Sequence, residues 1–308
     1  MGARIEAVSA LTSRGLRKPS ARRLADAAAR TCLAQAGKEP GDIDMLINTG
    51  IYREDNMGEP ALAALVQDDI GANRGQPPIG GHGTFSFDLL NGTCGVISAI
   101  QVQAGLLRSG VIRLGAIVTS DVHPDLTEPR SAPFRPAGGT LLLGWDDSIP
   151  GFTDFYVETF PEYEDLFVSG LVWQGRGRPG IAGRGAGRSR MIIDEKPGYQ
   201  ARLVDCAEEA TYRFLRGLGM DISQIDLLVP APASPGFLDP LKVRLGVPGD
   251  RVAYVTEDLE GSYTTGPLAA LQAGIKSGRF GEARNTVMLA AGAGITVALA
   301  LYRQIPPC

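Results

Sequence analysis

The sequence predicts an α/β fold built from two similar halves. The first observation is an internal repeat. The segment "LADAAARTCLAQAGKEPGDIDMLINTG" starting at Leu24 matches "CAEEATYRFLRGLGMDISQIDLLVPAP" starting at Cys206 without a gap, so that Ala25 meets Ala207, Leu33 meets Leu215, Gly37 meets Gly219, Asp44 meets Asp226 and Leu46 meets Leu228. The second is a further echo in the same order: "QVQAGLLRSG" before "LGAIVTSD", and "ALQAGIKSG" before "NTVMLAAG". The third is the alternation of amphipathic helical patterns with short, wholly apolar runs, which is how strands covered on both faces are written.

Each repeat copy reads in order as an amphipathic helix, a glycine stop, a short loop and a buried strand. The stretch "SFDLLNGTCGVISAIQVQAGLLRSG" (86–110) reads as a strand, a sharp turn and a long helix. Near the end, "TVMLAAGAGITVALALY" is too short and too glycine-broken for a membrane span and reads as two buried strands joined at "GAG". The division between the halves is expected between 145 and 160. This gives residues 1–150 and 151–308 as two halves of one compact unit.

Composition narrows the function. The 308 residues include 44% hydrophobic ones, enough for a sizeable core, and carry a net charge of -4. No excess of Lys and Arg supplies phosphate contacts, so nucleic-acid binding is not favoured. The local exception is "GRGRPGIAGRGAGRSR", where Arg176, Arg178, Arg184, Arg188 and Arg190 stand without an acid. Arg forks and glycine amides there suit the phosphates of a CoA-like ligand, and equally a solvated loop. Cys32, Cys94, Cys206 and Cys308 are widely spaced, with no zinc pattern. Cys32 and Cys206 lie in helical patterns and read as small core residues. No metal is expected. The first residues, "MGARIEAVSA", lack an apolar export segment, and the chain is read as cytoplasmic.

The duplicated α/β halves, together with "FDLLNGTCGVISAIQVQAGLLRSG", "IDLLVPAPASPGFLDPLKVRLGVPGDRV" and "VMLAAGAGIT", resemble the ketoacyl-ACP synthase III group of the thiolase superfamily. That resemblance covers nearly the whole chain, with fewer residues than usual before the first helix. It implies a thiolase-like duplicated fold, five-layered αβαβα with two central mixed sheets. It also implies a dimer, formed with itself or a paralogue, a tunnel for a phosphopantetheine or acyl-CoA thioester as ligand without a tightly bound cofactor, and acyl carrier protein as a possible partner.

In such enzymes a cysteine accepts the acyl group, and a histidine and an asparagine assist decarboxylative condensation. The resemblance places the nucleophile five residues after Asp88, at Thr93, with Cys94 one residue late. A thiol at a helix start gains from the positive end of the dipole, whereas a threonine hydroxyl needs a neighbouring base. The histidine of the Val-Pro-His-Gln-Ala-Asn segment falls at Ala231, and the asparagine of Gly-Asn-Thr-Ser falls at Gly261 or Ser262. Gly294 matches the glycine whose N–H helps hold an oxyanion.

Among other candidates, His123 follows a strand end, and Asp121 and Glu128 lie near enough in sequence to orient it; His82 precedes the nucleophile strand. Glu59 beside Pro60 reads as the N-terminal cap of a helix, while the resemblance also implies a glutamate in this region as a base reaching across to a partner subunit. Lys242 and Arg244 lie on one helix, as a carrier-protein contact or a solvated face. Three functions follow. The first is a degenerate ketoacyl synthase III-like subunit of fatty-acid or polyketide-type metabolism, paired with a complete paralogue. The second is an independent acyltransferase acting through Cys94 or Thr93. The third is a non-enzymatic binder of acyl-carrier thioesters.

Overall fold

Alternate residues of a strand leave in opposite directions, so a strand buried on both faces feeds two cores. Here Met45 and Ile47 enter one core while Leu46 enters another, and Leu141 and Leu143 are divided from Leu142 in the same way. In the second half, Leu227, Val229, Met288 and Ala290 face the first core, while Leu228, Val287 and Leu289 face a third. The computed structural model describes residues 2–13, 19–54, 58–73, 82–124, 135–148, 150–174, 188–232 and 234–305.

The first group of elements is β1 (Gly2–Thr12), α1 (Ala21–Ala36), β2 (Met45–Asn48), α2 (Leu62–Ile70), β3 (Phe85–Asp88), α3 (Gly95–Arg108), β4 (Leu114–Asp121) and β5 (Ala137–Asp146). The second group opens with β6 (Gly151–Thr159), the hairpin strands β7 (Phe167–Gln174) and β8 (Arg188–Glu195), α4 (Tyr199–Gly217), β9 (Leu227–Ala231) and α5 (Pro235–Leu245). It closes with α6 (Gly266–Lys276), the short α7 (Arg279–Glu282), β10 (Asn285–Gly292) and β11 (Thr296–Arg303).

Ile97 and Ile100 of α3 and Leu268 and Leu271 of α6 share the middle core with strands of both groups. Leu24 of α1 and Leu62 of α2 cover the outer face of the first strands, and Phe214 of α4 and Leu241 of α5 cover that of the second. The layers are therefore helix, sheet, helix, sheet, helix. The sheets are mixed: β2 runs parallel to β3 and β4, and β9 parallel to β10, while the other pairings are antiparallel. The two strand groups are not fully separate. A single register pair, Ala3 with Phe152, joins β1 to β6, giving one ladder of nine strands in the order β3-β2-β4-β5-β1-β6-β11-β10-β9.

The repeat extends to individual hydrogen bonds. Gly37 and Gly219 both have left-handed backbone, φ 61° and 63°, where a side chain is disfavoured. The amide of Lys38 reaches Leu33 O, and that of Met220 reaches Leu215 O. Asp44 accepts from the amides of Arg113 and Leu114, and Asp226 accepts from those of Arg284 and Asn285, so each aspartate ties its loop to the start of the neighbouring strand. Gln103 of α3 and Gln272 of α6 each donate to a strand carbonyl, Ala116 O and Ala10 O. Cys32 and Cys206 are buried as expected of core residues. No helix among the described residues is long and apolar enough to cross a membrane.

Candidate functional site

β3 ends in Asp88, whose carboxylate braces the start of α2 and lines neither cavity. It accepts from the amides of Leu62 and Ala63 at 3.0 and 2.9 Å and pairs with buried Arg53 at 2.5 Å. Asp88 thus caps α2 from another strand, the place the sequence reading gave to Glu59. Glu59 is exposed instead. Arriving from β3, Asp88 meets the free N–H groups at the helix start, so the local residue is not needed there.

The chain then turns tightly through Gly92, Thr93 and Cys94 into α3. Gly92 has φ 52°, and a Cβ there would stand 3.3 Å from the Tyr263 hydroxyl. On the far side, a Cβ at Gly95 would stand 3.2 Å from that of Thr49. This turn sets the two candidate nucleophiles on different sides, because neighbouring helical side chains diverge by roughly 100°.

Thr93 faces a cavity of ≈ 220 Å³ that Pro232, Gly261 and Ser262 also line. Its Oγ1 donates to Ala291 O at 2.6 Å. Cys94 faces a second cavity, of ≈ 270 Å³, beside Asn91, Ser169 and Thr296. Its Sγ lies 3.5 Å from Ala290 O and 3.4 Å from Thr296 O. Burial pushes the Cys94 thiol up to about 12. Desolvation therefore outweighs the assistance expected from a helix start.

Of the positions that the resemblance assigns to chemistry, Thr93, Gly261 and Ser262 line the Thr93 cavity while Ala231 and Gly294 line neither cavity, and they carry little reactive equipment. Ala231 is fully buried at the end of β9, and a Cβ at Gly266 would lie 3.7 Å from its methyl. The Ser262 hydroxyl donates to Leu259 O at 2.6 Å. Gly261 has φ 76° and lines the wall. Gly294 lies in the turn between β10 and β11 with φ 71°, while Gly292 and Ala293 line both cavities. His123 is buried beyond β4 and lines neither cavity. Arg176 and Arg178 lie outside the described residues, as does Glu128.

Asp121 does something the sequence reading did not give it. Its fully buried carboxylate accepts from the amides of Ile51 and Tyr52 at 3.0 and 2.9 Å, and from the amide of Thr264 at 3.0 Å and its hydroxyl. It joins the loop after β2 to the loop before α6. Burial raises its pKa, and these four donors oppose the rise. The sequence reading also missed Tyr52 and Tyr263, which line both cavities with ring centroids 5.4 Å apart. Each lies in a loop with no periodic pattern, so no local signal marks them. Among the described residues lining the Thr93 cavity, Glu195 alone is charged, and Gln200 donates to it at 3.0 Å.

Alternating helix and sheet layers around a strand–turn–helix corner make up a thiolase-like fold. Comparison with known proteins narrows the class. Residues 215–304 match the family model described as 3-oxoacyl-[acyl-carrier-protein (ACP)] synthase III C terminal. The chain is 25% identical over 291 residues to the β-ketoacyl-[acyl-carrier-protein] synthase III of Rhizobium meliloti, covering 91% of this chain and 83% of the relative. Among solved structures, 3-oxoacyl-(acyl carrier protein) synthase III from Pseudomonas aeruginosa matches with TM-score 0.72 and 19% identity, covering 100% of this chain and 99% of the other. A priming β-ketosynthase from a polyketide biosynthetic pathway matches with TM-score 0.73 and 20% identity, over 99% and 97%. The chain is therefore similar over most of its length to ketoacyl-ACP synthase III proteins and shares their fold.

Proposed function

We propose that this protein is a non-condensing ketoacyl-ACP synthase III-like subunit of fatty-acid or polyketide-type metabolism, one that holds an acyl thioester and pairs with a catalytically complete paralogue. The observation that carries this reading is the state of the Thr93 hydroxyl. It is committed to Ala291 O, and no imidazole stands among the described residues of its cavity. On the positions that the resemblance assigns, alanine at 231 offers no donor and the Ser262 hydroxyl is spent on Leu259 O, so neither steadies an enolate. One such donor is worth about 2.7–4 kcal/mol in comparable sites, so losing two removes several orders of magnitude in rate.

The pairing has its own support. β3 is the edge of the nine-stranded ladder, and Phe85 on it is 63% exposed. An unpaired apolar edge is a template for a second chain. The basic helix face is a weaker candidate for carrier-protein contact: Lys242 pairs with Asp239, and Arg244 with Asp205 and Glu208, which neutralises much of its charge. Purification of the tagged chain from its native cells tests the proposal. Recovery with a ketoacyl synthase III-like chain carrying Cys, His and Asn is expected, and rapid condensation by the pure protein alone would defeat it.

Acyl transfer through Cys94 is the second reading, favoured by the cavity its sulfur faces. Intact-protein mass spectrometry with a panel of acyl-CoAs separates the two. A mass gain that Cys94→Ala abolishes favours transfer.

A further inference from the structure

The Thr93 and Cys94 cavities lie on either side of one turn and share a wall. Tyr52 and Tyr263 belong to the lining of both, and their rings lie tilted at 36° with centroids 5.4 Å apart. The wall is fixed from behind. Asp121 holds the Tyr52 amide through one carboxylate oxygen and the Thr264 amide and hydroxyl, next to Tyr263, through the other. Thr264 is further tied to Thr119 by a 2.5 Å contact between hydroxyls. The Tyr263 hydroxyl also sits where Gly92 leaves room for it, since any larger residue at 92 would crowd that oxygen at 3.3 Å. A buried carboxylate with four donors is a rigid anchor. The two rings therefore have little freedom to part.

We propose that the Tyr52–Tyr263 pair is a partition that ends the Thr93 chamber, limits the length of acyl chain admitted there, and keeps the Cys94 sulfur out of reach of anything bound beside Thr93. The chain-length part rests on the thioester-binding reading above; the partition itself does not. Asp121 acts as a positioning residue, because it touches the loops and not the contents of either chamber. With the partition in place, the two reactive-looking neighbours of one turn serve two separate spaces. Without it, the cavities of ≈ 220 and ≈ 270 Å³ become one.

The test compares the wild type with Tyr263→Ala, with Tyr52→Leu as a milder second opening, and with Tyr263→Phe, which keeps the ring. Each folded protein is treated with N-ethylmaleimide at pH 7.5 and modification is mapped to Cys94 by peptide mass spectrometry. Binding of acyl-CoAs of increasing chain length is measured in parallel. Tyr263→Ala and Tyr52→Leu are expected to speed Cys94 modification at least tenfold and to extend the longest chain bound, with Tyr263→Phe close to wild type. Faster modification with no acyl-CoA bound by any variant leaves the partition standing and removes the thioester reading. Unchanged Cys94 modification in a natively folded Tyr263→Ala or Tyr52→Leu protein overturns the partition.

Discussion

Gly292 faces Thr93 so closely that a Cβ added at Gly292 would lie 2.8 Å from the Thr93 Oγ1, the atom that donates to Ala291 O. The hydroxyl is thus enclosed by the end of β10 and bonded to it. Gly292→Ala is expected to displace the hydroxyl and destabilise the fold by about 1–3 kcal/mol, as overpacking does. Thr93→Ala alone costs about 0.5–1.5 kcal/mol for the lost hydrogen bond, plus the vacated volume. The double variant should recover part of the loss, because the clash and the bond involve one oxygen. Denaturant melts of the four proteins check this, and strict additivity would show that the two residues do not compete for space.

Cys94 should behave as an inert thiol. With its pKa pushed up to about 12 by burial, only about one part in ten thousand is thiolate at pH 8. Iodoacetamide labelling mapped to Cys94 should stay slow from pH 7 to 9 and climb only at higher pH. The linked stability has a definite sign. A thiol whose pKa is raised by folding contributes stability that is whole below the ordinary thiol range near 8.5. That contribution is lost as pH rises through about 12. Rapid labelling at pH 7 would show the sulfur to be open to solvent.

Asp26 of α1 gives a second pH dependence, in a more accessible range. Burial first, and then the nearby Asp69 carboxylate, raise it to about 7, and Arg22 and Arg30 oppose the rise. The raised carboxylate favours the fold at pH values below the usual carboxylate range, and this contribution is lost as pH rises through about 7. Asp26→Asn should therefore gain on the wild type between pH 5 and pH 8, by about 1 kcal/mol once solvent screening of this half-buried group is counted. Thermal melts at the two pH values check this. A gap that does not widen would place Asp26 among ordinary carboxylates.

The exposed Phe85 on edge strand β3 predicts an effect on assembly. Phe85→Lys puts a charge on the edge, a device that blocks strand pairing. Light scattering after size exclusion should show a lower mass for the variant than for the wild type. Equal masses would exclude β3 as the contact.

The order of these elements was legible because it is written locally. The gapless repeat returns as paired glycine stops, paired loop aspartates and paired buried strands, each set by spacing and backbone preference within some twenty residues. The hydrophobic alternation likewise announced strands covered on both faces. The site was legible only as a set of positions. Glu59 looked like a cap, but the helix took its cap from Asp88, which arrives from another strand. His123 followed a strand end as a base might, yet it lines neither cavity.

The sequence alone settled the layering and the neighbourhood of the turn at 92–94, since periodicity and glycine placement act between near neighbours and survive in one dimension. Tertiary packing decided that the hydroxyl and the sulfur face separate cavities, that two unpatterned tyrosines stand between them, and that a buried aspartate anchors both loops. Those outcomes depend on contacts between residues more than a hundred positions apart, such as Asp121 with Thr264 and Thr93 with Ala291, and spacing along the chain carries no record of them.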